Sequence, residues 1–230
     1  MNVEILPNGA FYSALVHLEA GDRFQSDSGA MFRASSNVDI DVTTRPKGKG
    51  AGLLGGLKRL VAGDSFFLST YSTTDGGPGE VGLAPTLQGQ VRLVDVVPGT
   101  GWMCAGGSYL GSDANLALDL QFQGLKGLVS GERLFFVKVE GQGDLLVNAY
   151  GGITEVEVDG ELIVDTGHVV AFEETLAYKL TKASNSWVQS YLAGEGFVLH
   201  FRGQGKLLVQ SHNPKEFGSR LGKHLPPRQG

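Results

Sequence analysis

Three times along the chain, a small residue and a glycine–acid turn lead into an apolar run. They read Ala62-Gly63-Asp64-Ser65-Phe66-Phe67, Ser130-Gly131-Glu132-Arg133-Leu134-Phe135-Phe136 and Ala193-Gly194-Glu195-Gly196-Phe197-Val198. Gly63, Gly131 and Gly194 recur after 68 and 63 residues. An interval this regular is long enough for several short strands. It points to tandem copies of one β-rich unit rather than a single large domain.

Alternation with period two fills the intervals. In Ser36-Asn37-Val38-Asp39-Ile40-Asp41-Val42 the apolar side chains fall at 38, 40 and 42, the pattern of a strand with one buried face. Asp39 and Asp41 then lie on the solvated face. Thr154–Val158 alternates likewise, and Asp159-Gly160 before Leu162-Ile163-Val164 predicts a hairpin with a type I′ turn. Glu140-Gly141-Gln142-Gly143-Asp144 and Arg202-Gly203-Gln204-Gly205-Lys206 both precede Leu-Leu-Val, and both read as hairpin turns. The first copy has the longer segment 73–81 in that place. Gly turns in 18–22, 94–99 and 164–168 mark the first halves of the units. The resulting organisation is an all-β chain of three modules, 1–86, 87–150 and 151–216, followed by a flexible tail at 217–230. Short helical turns are expected at 53–61, 124–129 and 186–192, each just before its glycine–acid turn.

Composition supports a packed β protein. Gly accounts for 35 of 230 residues, about twice the ~7% of an average chain, as many tight turns require. Hydrophobic residues make up 41% and charged residues 19%, which excludes a disordered chain. The formal net charge of −5 gives no general attraction to phosphate backbones, so nucleic acid is not an expected partner. A single Cys rules out an internal disulfide and a zinc cluster. Residues 1–7 lack the charged and apolar regions of a signal peptide, and the longest uncharged stretch, 96–112, is too short and too broken by Gly and Pro to cross a bilayer. The expectation is a cytoplasmic protein.

Few residues suggest chemistry. Gly50-Ala51-Gly52-Leu53-Leu54-Gly55 matches G-x-G-x-x-G, but 45–49 before it reads as loop instead of the strand a dinucleotide site needs. No cofactor is expected. Arg45, Lys47, Lys49, Lys58 and Arg59 form a basic run without an intervening acid. It is a candidate anion or membrane-surface contact, although a run of this kind is more often a solvated loop. The His residues show no metal-ligating spacing, although His168 with Glu173 and Glu174 offers a conceivable set. Cys104 lies in an apolar setting, which predicts a buried structural thiol. No nucleophile, base and oxyanion site assemble, so no catalytic residue is assigned.

The run Gly52-Leu53-Leu54-Gly55-Gly56-Leu57-Lys58-Arg59-Leu60-Val61-Ala62-Gly63-Asp64-Ser65-Phe66-Phe67, with Gly82-Leu83-Ala84-Pro85 and Ser130-Gly131-Glu132, closely resembles bacterial relatives of the altered-inheritance-of-mitochondria biogenesis family. The resemblance covers about residues 3–215. It implies three duplicated domains similar to the tryptophan RNA-binding attenuation protein, and a homotrimer with nine modules in a ring. It transfers no catalytic residues. The functional expectation is a non-enzymatic scaffold or interaction protein with itself as partner. The alternatives are a ring holding a small ligand between modules, or a peripheral membrane protein using residues 45–61.

Overall fold

A computed structural model describes residues 1–44, 67–123, 134–182 and 197–226. The chain is almost entirely β, and the pairs between its strands are antiparallel. The first part supplies β1 (Asn2–Asn8), β2 (Phe11–Leu18), β3 (Phe24–Asp27), β4 (Met31–Ala34), β5 (Val38–Thr44), β6 (Phe67–Thr73) and β7 (Gly79–Leu83). The middle supplies β8 (Val91–Val96), β9 (Trp102–Ala105), β10 (Tyr109–Asp113), β11 (Ala117–Gln123), β12 (Leu134–Glu140) and β13 (Gly143–Asn148). The last part has β14 (Ile153–Asp165), a 3-10 turn at Thr166–His168, β15 (Val169–Glu173), β16 (Ala177–Lys182), β17 (Phe197–Gln210) and the helix α1 (Pro214–Gly222).

Two of the three sheets combine strands from successive parts of the chain. One runs β1-β2-β7-β4, the next β5-β6-β3-β10-β13-β8, and the third β11-β12-β9-β15-β17-β14 with β16 also on β17. Equivalent irregularities accompany this order. The β4–β7 ladder slips between Met31 and Arg33, β10–β13 between Tyr109 and Gly111, and β15–β17 between Val169 and Ala171. Such bulges bend a strand and increase its twist. The inward faces pack into cores centred on Phe24, Tyr71 and Leu83, on Trp102, Tyr109 and Leu145, and on Phe136, Phe172 and Phe201. Each such large apolar side chain contributes roughly 1.5–3 kcal/mol by leaving water.

Three local expectations are overturned. Asp159-Gly160 makes no hairpin: β14 runs unbroken and pairs with β17 from Ile153↔Gln210 to Asp165↔Val198. Nor are the two Gly-Gln-Gly segments hairpin turns. β12 pairs with β11 and β9, whereas β13 pairs with β10 and β8, so the segment is a corner between sheets. In β17 the corner lies within one continuous strand. The glycines take extended conformations at positive φ, 127° and 151° at Gly141 and Gly143 and 120° and 159° at Gly203 and Gly205. This is a region only glycine enters easily. A side chain at Gly143 would strike the Asp113 carboxylate, and one at Gly205 the Thr175 hydroxyl. The third concerns 164–168. This segment leads from β14 to β15, in the position of the turns that join β3 to β4 and β9 to β10, and not of the turns at Gly21 and Gly99.

β5 keeps its alternation, with Asp39 and Asp41 exposed as expected, but Ile40 and Val42 on its apolar face are exposed as well. Helix α1 spans the boundary placed at 216. Pro214 occupies its first turn, and the Asn213 side chain accepts from the Lys215 and Glu216 N–H groups at 3.0 and 3.2 Å, a standard N-cap. Phe217 rests 5.4 Å from the Tyr150 ring. The expected helical turns, and most of each glycine–acid turn, lie outside the described residues. No described helix is long and apolar enough to cross a membrane.

Candidate functional site: two strand joints, a cavity and two open edges

Two strand joints tie the parts of the chain together. At the first, β10 lies beside β3 with Gly111↔Ser26, Ser112↔Gln25 and Asp113↔Phe24. At the second, β15 lies beside β9 with Ala171↔Cys104, Phe172↔Met103 and Glu173↔Trp102. Just beyond each, another backbone bond repeats: the Ala114 N–H donates to the Arg23 carbonyl at 3.1 Å, and the Glu174 N–H to the Gly101 carbonyl at 2.9 Å.

The joints differ in what they bury. Around the first, Gln25 donates to the Ser112 hydroxyl at 3.2 Å and to the Asp113 carbonyl at 3.3 Å. Tyr109 and Ser112 pair through their hydroxyls at 2.9 Å, as do Ser26 and Tyr71. Burial of these groups is tolerated because they satisfy one another. Around the second, Met103, Cys104 and Phe172 are buried. Phe172 sits edge-on to Phe136 at 5.3 Å, to Tyr178 at 5.2 Å and to Phe201 at 5.0 Å. Burial pushes the Cys104 thiol up to about 12, so it carries little thiolate near neutrality. That is the inert structural thiol the sequence suggests.

A cavity of about 550 Å³ opens where the turns after β3, after β9 and before β15 converge. Its polar lining includes Asp27, Ser28, Ser108, Asn148, Tyr150 and Lys215. Burial raises the Asp27 carboxyl to about 6, against a smaller opposing pull from the Ser28 N–H. The cavity therefore offers an acid that changes charge near neutrality, with hydroxyl and amide groups close by. Those groups suit hydrogen bonding to a small polar molecule. Sequence spacing could not have disclosed it, because its walls come from segments scattered between positions 27 and 215.

The sequence-predicted candidates do not converge there. Arg45, Lys47, Lys49, Lys58 and Arg59 lie outside the described residues, as does the whole Gly50–Gly55 segment. The three members of the conceivable metal set are engaged separately. His168 Nδ1 lies 2.8 Å from the Gln210 carbonyl, Glu173 accepts from the Lys206 N–H at 2.9 Å, and Glu174 pairs with Lys138 at 2.8 Å. The Lys138 ammonium holds the Glu174 carboxyl below its usual range. Among the described residues no group of three His, Cys, Asp or Glu side chains could hold a metal ion.

β4 ends the first sheet at the side opposite β1, and β14 ends the third at the side opposite β11. Among the described residues no strand pairs on the outer side of either. Phe32 in β4 is 53% exposed, beside exposed Arg33 and Ala34, and Ile163 in β14 is 58% exposed. Sequence reasoning gave no sign of either edge, since both stretches carry ordinary strand patterns.

A family model described as mitochondrial biogenesis AIM24 matches residues 3–212. An uncharacterized protein of Streptococcus pyogenes serotype M6 is 32% identical over 216 residues, covering 92% of this chain and 86% of that protein. A crystal structure of a Streptococcus pyogenes protein superposes with a TM-score of 0.80 at 30% identity, covering 97% of this chain and 99% of the other.

Proposed function

The chain belongs to the mitochondrial biogenesis AIM24 family, and from that membership and its open sheet ends we propose a non-enzymatic scaffold or interaction protein that assembles as a homotrimeric β ring. The observation that carries this reading is the mismatch between the sheets. Two of them run through a joint between successive parts of the chain, as β3–β10 and β9–β15. What is left over is one half-sheet ending at β4 and another ending at β14. Open edges with exposed apolar side chains invite pairing with another chain, and a head-to-tail contact of this kind closes into a ring when its rotation allows.

The reading also takes the chain as three tandem modules of the attenuation-protein type, 1–86, 87–150 and 151–216. The recurring bulges support this. So does one recurring contact: Ser35, Asp113 and Glu173 accept through their side chains from the N–H groups of Glu80, Asp144 and Lys206 at 2.9, 3.0 and 2.9 Å. Light scattering coupled to size exclusion tests the assembly. The expected mass is three times the 24.3 kDa chain, and a monomer at micromolar concentration would sink the reading.

The cavity favours a second reading, in which the ring holds a small polar ligand between modules. A metabolite screen that raises the melting temperature of the wild-type protein, but not of a variant with Asp27→Leu, would support it. A further reading, membrane contact through residues 45–61, concerns positions outside the described residues. Flotation with anionic vesicles tests it, and binding unchanged on replacing Lys58 and Arg59 would count against it.

A further inference from the structure

Resting on the ring reading, we infer that the joint between chains is an antiparallel pairing of β4 of one copy with the second half of β14 of the next, in the register Arg33↔Val164, Ala34↔Ile163 and Ser35↔Leu162. The two internal joints dictate that register. On the β4 side, the ladders to β7, β13 and β17 fix equivalences: Arg33, Gly111 and Ala171 each follow the bulge and pair with Gly82, Leu146 and Leu208. Ala34, Ser112 and Phe172 come next, opposite Val81, Leu145 and Leu207. On the other side, Phe24, Trp102 and Leu162 pair with Tyr71, Val139 and Phe201. Gln25, Met103 and Ile163 follow, opposite Thr70, Lys138 and His200. The internal pairs Ser112↔Gln25 and Phe172↔Met103 thus leave Ala34↔Ile163 as the third.

Exposure sorts the same positions. Ser112, Phe172, Gln25 and Met103 are all buried, between 0% and 4% exposed. Their counterparts Ala34 and Ile163 are exposed. The bulge residue tells the same story: Leu110 and Val170 are buried, at 2% and 0%, while Phe32 in their place is 53% exposed. A partner strand would bury Phe32 and Ile163 and satisfy a row of backbone groups that neither edge satisfies alone. By the same equivalence the Ser36 N–H donates to the Glu161 carbonyl of the neighbouring chain, as Ala114 does to Arg23 and Glu174 to Gly101.

The test is site-directed cross-linking of the full chain. Residues directly opposed across an antiparallel ladder bring their Cβ atoms to about 4.5–5.5 Å, within reach of a short bis-maleimide. The double variant Ala34→Cys/Ile163→Cys should give covalently linked chains on a denaturing gel. The offset pair Ala34→Cys/Val164→Cys places the thiols on opposite faces and should link far less. Phe32→Asp should reduce the assembly to single chains with an unchanged circular dichroism spectrum. A three-chain assembly that fails to cross-link at 34 and 163, or links equally in the offset pair, overturns the register and leaves the ring standing. A link formed within one chain, or assembly undiminished by Phe32→Asp, also overturns the joint. A wild-type monomer overturns joint and ring together.

Discussion

The β3–β10 and β9–β15 joints share one backbone geometry and bury opposite chemistry. Three residue pairs, a neighbouring bulge and a flanking N–H bond recur in both. Yet the first encloses a hydroxyl and amide network, and the second a cluster of aromatic rings. Backbone pairing therefore sets the path of the strands, while the side chains only need to fill the space and satisfy any polar atoms they bring. A dry joint draws on apolar burial; a polar one depends on every hydrogen bond being made.

Substitutions that break each joint on its own terms sharpen the contrast. Phe172→Ala opens a cavity among three rings and should cost about 3–5 kcal/mol in chemical denaturation. Cys104→Ser places a hydroxyl where the first joint has Ser26, here among the apolar side chains of Trp102, Val137 and Val170, and should cost about 2 kcal/mol. Asp27, which occupies the position of Ala105 in the second joint, should act with the opposite sign. Its carboxyl is raised from 3.8 to about 6 in the folded protein, so ionisation is harder there than in the unfolded chain. Stability is therefore greatest below about pH 4, falls as the pH rises toward 6, and is level above that. Asp27→Asn should flatten this slope and add about 1–2 kcal/mol at pH 7; thermal melts at pH 4 and pH 7 would show a gain confined to the higher pH. Tyr109→Phe, which removes one hydroxyl from the polar network, should cost about 1 kcal/mol. Were Cys104→Ser to cost nothing, the face of the second joint that packs against Trp102 and Val137 would be less dry than its burial implies.

Strand character was legible in the alternation of 36–42 and 154–158, and Cys104 showed its burial through its apolar neighbours. The corners were not legible. Asp159-Gly160 carries the same signature whether the chain reverses or runs on, and what decides is a partner strand far along the sequence. Gly160 lies opposite Gly203 in a continuous ladder, so two glycines supply a bend that either alone would have suggested as a turn. The cavity stayed hidden for a related reason, because Asp27 and Lys215 meet only after the sheets assemble. The open edges were invisible because exposure depends on the absence of a neighbouring strand, which no local pattern encodes.

The long β14–β17 ladder also has a consequence for synthesis. Ile153 must wait for Gln210, with roughly 60 residues still to be translated. At roughly 5–20 residues per second, β14 spends several seconds outside the ribosome without its partner. Throughout that time its backbone is a free template on the nascent chain. The charges along it, Glu155, Glu157, Asp159 and Glu161, would repel a second copy emerging from the same message and discourage premature pairing between neighbouring ribosomes.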